Sequence, residues 1–347
     1  MKIRLLLIAA VLALFSSLGQ AQAKKTKAAE SAPAVSIPDL VLKGKIDDAV
    51  KLAVKTPLDA ERALNSLMAS ADTQIALRKI PDAQATLDAA QKFMDACDKT
   101  GKVKDLPKAA LKGRQLRLQG IVLSDNLDFT KALEVLNQAL LVSKPAKDLA
   151  LEAGIHNNLG YARQKVDSLD EAAHEFDTAR KIAEDQKDDL RAGSYNFNLG
   201  TVFLDEEKFD AALAAFQRSA EQNKKAAQAS LEARAILMQA RVITKTDPKN
   251  AEITRLFQDA ATRFEKLGDA ANAGLSYFLL AGNAQANGDF RKTADLAEKA
   301  LPFWTKTGNN LGLEECYKLL ALMYNTLGEL PKAEKYNKLA NEIAVKK

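Results

Sequence analysis

A chain of 347 residues that is 47% hydrophobic, 27% charged and only 6% aromatic is long enough for two ordinary domains or one extended array. Its 50 basic and 45 acidic residues are interspersed and leave a net charge of +5, a mixed solvated surface rather than a nucleic-acid footprint. Two cysteines, Cys97 and Cys316, are too few for a disulfide framework.

The first residues carry an address. Lys2 and Arg4 are followed by an almost wholly apolar run from Leu5 to Leu18, then by Ala21-Gln22-Ala23. A basic start, a short apolar core and a small-x-small end form the pattern a signal peptidase reads. The run is too short for a comfortable membrane span of ~20 residues. Residues 1–23 are therefore expected to be a cleaved signal peptide of bacterial type, with cleavage after Ala23. The destination is the periplasm, with secretion as the alternative. Residues 24–38 (KKTKAAESAPAVSIP) hold little that can form a core and read as a flexible linker. Residues 39–57 include GKIDDAVKLA, which looks like a turn and second helix, a partial capping unit.

From residue 58 to 347 the pattern is helical, with apolar residues three and four apart and no alternating β-branched runs. Breakers such as Pro81, Gly101, Pro145, Pro248, Gly288, Gly308 and Gly328 mark interhelical turns. Laid in register, a small residue recurs in the first helix of each unit: Gly120, Gly160, Gly200, Ala240, Ala281 and Ala321. An apolar residue opens the second helix at Phe129, Leu169, Phe209, Phe290 and Leu330. Near its end stand Ala139, Ala179, Ser219, Ala260, Ala300 and Ala340. These ladders step by 40 residues, with one step of 41 and one double step of 81 where a unit lacks a clear opening residue. The small residue lets the facing helix approach, and Phe or Leu fills the gap beside it. Neither helix can bury its apolar face alone, so the units must stack. An irregular unit with Ala71, Ala83, Leu87 and Ala90 comes first, followed by an insertion through Lys104. The unit around Asp247-Pro248 is the weakest match, because its turn is lengthened.

At these residues the chain resembles the tetratricopeptide repeat family. The match is best from Leu159 to Ala179 and Leu199 to Ser219, and good from Tyr277 to Leu301 and Tyr317 to Ala340. The resemblance implies an all-α, right-handed superhelical solenoid of stacked antiparallel helix pairs. Two departures stand out. The period is 40 residues rather than about 34, so the helices should be longer. The aromatic usual early in the first helix is replaced by His156 and Asn196, which leaves looser packing or presented polar groups as the expectation there.

Catalytic signatures are lacking. His156 and His174 do not form His-Glu-x-x-His, and there is no phosphate-cradling glycine loop, nucleophile elbow or Cys-x-x-Cys. No cofactor and no metal site are expected. The resemblance implies instead a concave groove lined by first helices, in which a peptide lies. By position the groove carries Asn157, Asn158 and Tyr161, then Phe197 and Asn198, then Arg234 and Arg241. Arg114, Arg117, Phe278, Gln285 and Lys318 occupy the same face in the outer units. Asn and Arg suit the amides of an extended segment, and the aromatics suit its apolar side chains. The Lys-Asn pairing of the family's carboxylate clamp is missing, although Asn198 and Arg234 fit in part. A basic stretch from Lys99 to Arg117 is the competing docking site. The expected function is a non-catalytic adaptor or scaffold, a monomer that binds a protein or extended peptide, with peripheral association to a membrane complex possible and nucleic acid not a partner. An enzyme or metal carrier on a repeat scaffold, or a self-associating array, are the alternatives. Cys97 and Cys316, about five units apart, are expected not to pair.

Overall fold

The computed structural model describes residues 36–103 and 106–344. The segment read as a signal peptide, most of the segment read as a linker and Lys104 of the basic stretch lie outside the described residues. Among the described residues there are sixteen α-helices and no strand. We number them α1 (Ile37–Leu42), α2 (Ile46–Lys55), α3 (Pro57–Ala76), α4 (Ile80–Thr100), α5 (Lys108–Asp125) and α6 (Phe129–Ser143). There follow α7 (Leu149–Lys165), α8 (Leu169–Asp185), α9 (Asp189–Asp205), α10 (Phe209–Lys225) and α11 (Ala229–Thr246). The last are α12 (Glu252–Lys266), α13 (Ala270–Ala286), α14 (Phe290–Thr307), α15 (Asn310–Thr326) and α16 (Leu330–Ala344).

The turns explain the regularity. The helix-ending residue in the left-handed conformation recurs at Leu127, Lys147, Asp167, Lys187, Glu207 and Ala227, and then at Gly268, Gly288, Gly308 and Gly328. Such a residue stops a helix and reverses the chain. The next residue is the N-cap of the following helix. Asp128, Asp148, Asp188, Asp269, Asp289 and Asn309 each accept a backbone N–H from three residues on through the side chain. The punctuation therefore falls every 20 residues, half the repeat. From Leu127 onward it fails only at Asp247–Ala251, the lengthened turn between α11 and α12, where no left-handed residue stands.

Consecutive helices pack antiparallel in pairs, α5 on α6, α7 on α8 and so on to α15 on α16, and each pair stacks on the next into a solenoid. In the central units the first helices α5, α7, α9 and α11 also touch one another in sequence. The second helices spread more widely, so the first helices form the inner face of the curve. Within the pairs, side-chain sizes are matched. A Cβ added to Gly120 would lie 2.5 Å from Leu136, and one on Gly160 or Gly200 would lie 2.9 or 2.8 Å from the ring of Phe176 or Phe216. Where the first helix carries Ala281, the equivalent residue opposite is Ala297, and both are fully buried. The gap-fillers are thus residues two turns into the second helix. The expectation that the opening residues fill the gap needs correction, since Phe290 is 38% and Leu330 56% exposed.

Both departures from the aromatic position are absorbed within the fold. Asn196 is fully buried, and its amide donates to Gln222 Oε1 at 2.8 Å; Gln222 in turn donates to Glu184 at 3.0 Å. The His156 ring nitrogen Nδ1 lies 2.6 Å from Glu175 Oε2. A hydrogen-bonded network replaces the ring, and neither group is presented to a partner. At the amino-terminal end, α1 and α2 cover α3 and α4 and bury Ile37, Val41, Ala49, Val50 and Ala53. Helix α1 begins at Ile37, two residues inside the stretch read as linker. Cys97 and Cys316 are buried thiols in separate core clusters near opposite ends.

Candidate functional site

The inner face is built from first helices, whose residues project inward at positions flanking the buried Gly or Ala ladder. Polar pairs link neighbouring units along it. Asn198 of α9 donates to Asn157 Oδ1 of α7 at 2.8 Å, and Gln164 of α7 donates to Asp205 of α9 at 2.7 Å. One unit on, the Arg234 guanidinium of α11 lies over the Phe197 ring of α9, 4.8 Å from its centroid. Phe197 itself packs edge-on against the buried Phe216. Ser194, Phe197, Asn198 and Arg234 line a small depression of about 110 Å³.

The structure thus brings Asn157, Phe197, Asn198 and Arg234 together as one strip across three units. Tyr161 stands at its edge, 43% exposed, packed against Phe129 of the preceding pair with Lys165 above its ring. Asn158 is turned inward: its Nδ2 is buried, and its Oδ1 accepts from Asn157. Arg241 lies apart from the strip, and its nearest polar contact is Met238 Sδ at 3.4 Å.

A larger hollow of about 520 Å³ lies further along the same face, lined chiefly by α13 and α15, with Thr244 of α11 at one side. Its walls are Phe278, Leu279, Leu319 and Leu322, with Phe257 of α12 behind and Gln285 and Lys318 at the rim. Phe278, Gln285 and Lys318 were legible by register. The residue that makes the hollow was not. Gly282 stands at the position filled by Ile121, Tyr161, Thr201, Arg241 and Leu322 in the other units, and a Cβ there would meet nothing within 4 Å. A missing side chain leaves space for a foreign one. The only sequence signal was that Gly follows the ladder residue Ala281 in this unit alone.

No group of three or more His, Cys, Asp or Glu side chains that could hold a metal ion occurs among the described residues. No helix among the described residues is long and apolar enough to cross a membrane. His156 is engaged by Glu175, and Arg163 lies 3.4 Å from the same carboxylate.

No family model matches the chain, and no curated protein does. Solved structures do. A signal-transduction ATPase with numerous domains and a tetratricopeptide repeat sensor, from Pyrococcus horikoshii, superposes with a TM-score of 0.61 at 19% identity. The match covers 87% of this chain and 46% of that one, so the chain spans about half of that protein's length. Aspartyl phosphate phosphatase F from Bacillus subtilis gives 0.58 at 13% identity over 92% of this chain and 96% of that one. A Rap protein complexed with competence and sporulation factor gives 0.51 at 14% identity over 82% and 98%. At these identities the likeness concerns architecture: the chain has a tetratricopeptide-like solenoid fold.

Proposed function

We propose that the protein is a non-catalytic binding module that holds an extended peptide or protein segment along its inner face. The observation that carries this is the apolar hollow over Gly282, on the same face as the Asn157–Asn198 and Phe197–Arg234 pairs. An extended chain laid across the first helices would present its amides to Asn157, Asn198 and Arg234 and an apolar side chain to the hollow. A solvent-facing apolar recess with a polar approach is the usual composition of a recognition site. Among solved structures with this fold, the Rap protein is complexed with competence and sporulation factor, which agrees with a ligand-binding use. The leader-like residues 1–23 support action in the periplasm, where the partner would be an exported protein. The polar face of α16, with Lys332, Glu334, Lys335 and Lys338, supports a monomer over an open-ended array.

Selection of a displayed random-peptide pool on the chain beginning at Lys24 tests this. Peptides with an apolar or aromatic anchor should be enriched on the natural chain. Gly282→Trp should abolish that enrichment with little change in stability, because the added side chain enters open space. Equal enrichment on both would remove the groove from consideration. Export is tested separately: the intact mass of protein recovered from a bacterial periplasm should correspond to residues 24–347, and a species retaining residues 1–23 would contradict it.

A further inference from the structure

Three arginines converge at the amino-terminal end of the same face. Arg114 and Arg117 come from α5 and Arg191 from α9, and with Asp148, Gly154 and Tyr195 they line a cavity of about 300 Å³. Arg117 lies along Gly154, one turn before Asn157 on α7: a Cβ there would touch it at ordinary van der Waals distance, 3.5 Å from Cδ and 3.8 Å from the guanidinium. Arg114 is already partnered, donating to Asn65 at 2.9 Å and to Asp148 Oδ2 at 2.9 Å. Arg191 is held by Asp188, the N-cap of its own helix, at 2.6 Å. Arg117 has neither a hydrogen bond nor an ion pair among the described residues. The charged and titratable groups facing it are Asp72 of α3, Tyr195 and the other two arginines.

Burial, reinforced by Arg191 and Arg114, lowers the Arg117 pKa against the pull of Asp72. The lining therefore has three fixed positive charges and one carboxylate, Asp148. Burial opposes ionisation of that carboxylate, yet the bonds from Arg114 and the Leu151 amide still hold it below the usual range. Arg117 is partly buried, and its guanidinium, without a hydrogen-bond partner, stays open to a ligand that supplies the counter-charge. Its planar fork matches two oxygens of one carboxylate or phosphate.

We infer that Arg114, Arg117 and Arg191 form a receptor for an oxyanion, a carboxylate or a phosphate, at one end of the inner face. Tyr195 forms its floor and Gly154 its open side. The inference rests on the groove reading only for the source of the anion, which would there be an acidic side chain of the bound segment. A small free anion would use the same three guanidinium groups.

Thermal shift and calorimetric titration of the chain beginning at Lys24 test this at constant ionic strength, with sodium chloride as the reference. The probes are inorganic phosphate, N-acetyl triglutamate amide and N-acetyl triglutamine amide. Phosphate or triglutamate should raise the melting temperature beyond chloride, and triglutamine should not. Arg117→Met should weaken that binding by about tenfold or more, as expected for loss of a charge-assisted pair. Without anion, Arg117→Met should melt at or above the natural temperature, since a partly buried, unpartnered charge is removed; a purely structural arginine would make it melt lower. Arg191→Met, at a half-exposed position, gives the same test if Arg117→Met does not fold. No shift beyond chloride, or an equal shift in both arginine variants, overturns the inference. Which probe binds assigns the source. Gly282→Trp should bind phosphate normally, so failure of the groove reading leaves this result standing.

Discussion

The Arg234 guanidinium stacks on the Phe197 ring, 4.8 Å from its centroid, and so joins α11 to α9 on the inner face. The contact is made by side chains 37 residues apart and leaves Arg234 exposed. A cation over an aromatic face holds its position without sealing the site, so the guanidinium donors remain free for a ligand. Arg234→Ala and Asn198→Ala should each weaken binding of a groove ligand by about 1–3 kcal/mol. The fold should change little, because neither residue touches the Gly and Phe ladder. Titration of a selected peptide at two salt concentrations measures this. If only a Lys104/Lys108/Lys112 triple Ala variant loses binding, with steep salt dependence, the basic stretch is the site instead.

Size matching inside the helix pairs gives a stability prediction. Gly160→Ala places a methyl 2.9 Å from the Phe176 ring, an overpacking that should cost about 1–3 kcal/mol. The better helix propensity of Ala returns part of that, roughly 1 kcal/mol. Phe176→Ala alone should lose about 3–5 kcal/mol through its cavity. Combined, the two should cost less than their sum, since the pair then resembles Ala281 with Ala297. Chemical denaturation of the four proteins in this cycle checks the coupling, and strict additivity would contradict the contact.

Turn chemistry gives a second one. Leu127, Lys187 and Ala227 hold left-handed backbone that the carboxyl-terminal half assigns to Gly268, Gly288, Gly308 and Gly328. Left-handed geometry costs a non-glycine residue about 1–2 kcal/mol, partly offset by the greater freedom of glycine in the unfolded chain. Leu127→Gly, Lys187→Gly and Ala227→Gly should therefore each stabilise modestly, by up to about 1 kcal/mol. All three side chains are exposed, so no burial is lost. Gly288→Ala should destabilise by a similar amount. Melting temperatures of the single variants decide the sign.

The two thiols predict an alkaline effect. Burial first, then the neighbouring Asp98, pushes Cys97 from its ordinary value of 9.0 to about 11. Burial also raises Cys316 to about 12, although the neighbouring Trp304 indole pulls it the other way. Native protein at pH 8 should therefore react slowly with a thiol reagent and rapidly once denatured. Because the folded values lie above the unfolded ones, the contribution to stability is complete below pH 9 and is lost as pH rises toward 11 and 12. Each thiol should contribute a downward slope approaching 1.4 kcal/mol per pH unit, roughly, within that window. Cys316→Ala should show a shallower decline than the natural chain; equal slopes would exclude the thiol as its source.

How much of this was written in the sequence depends on the range over which each feature acts. Helix starts at Phe129, Leu169, Phe209, Phe290 and Leu330, the long turn at Asp247-Pro248 and the Gly and Ala ladder were legible, because periodicity and turn residues act within a few positions of themselves. The all-α class and the stacking of helix pairs follow from the same ladder, since a one-sided apolar helix needs a neighbour. Other features needed the packed molecule. That Leu136, Phe176 and Phe216, and not the opening residues, meet the glycines is set by how two helices cross. That Asn196 is sealed by Gln222 and Glu184 depends on three different helices. The hollow over Gly282 exists because α11 and α15 stand on either side of a position with no side chain. The meeting of Arg114 and Arg117 with Arg191 spans three stacked units, and no local pattern records which residues of separate repeats a superhelical curve will bring face to face.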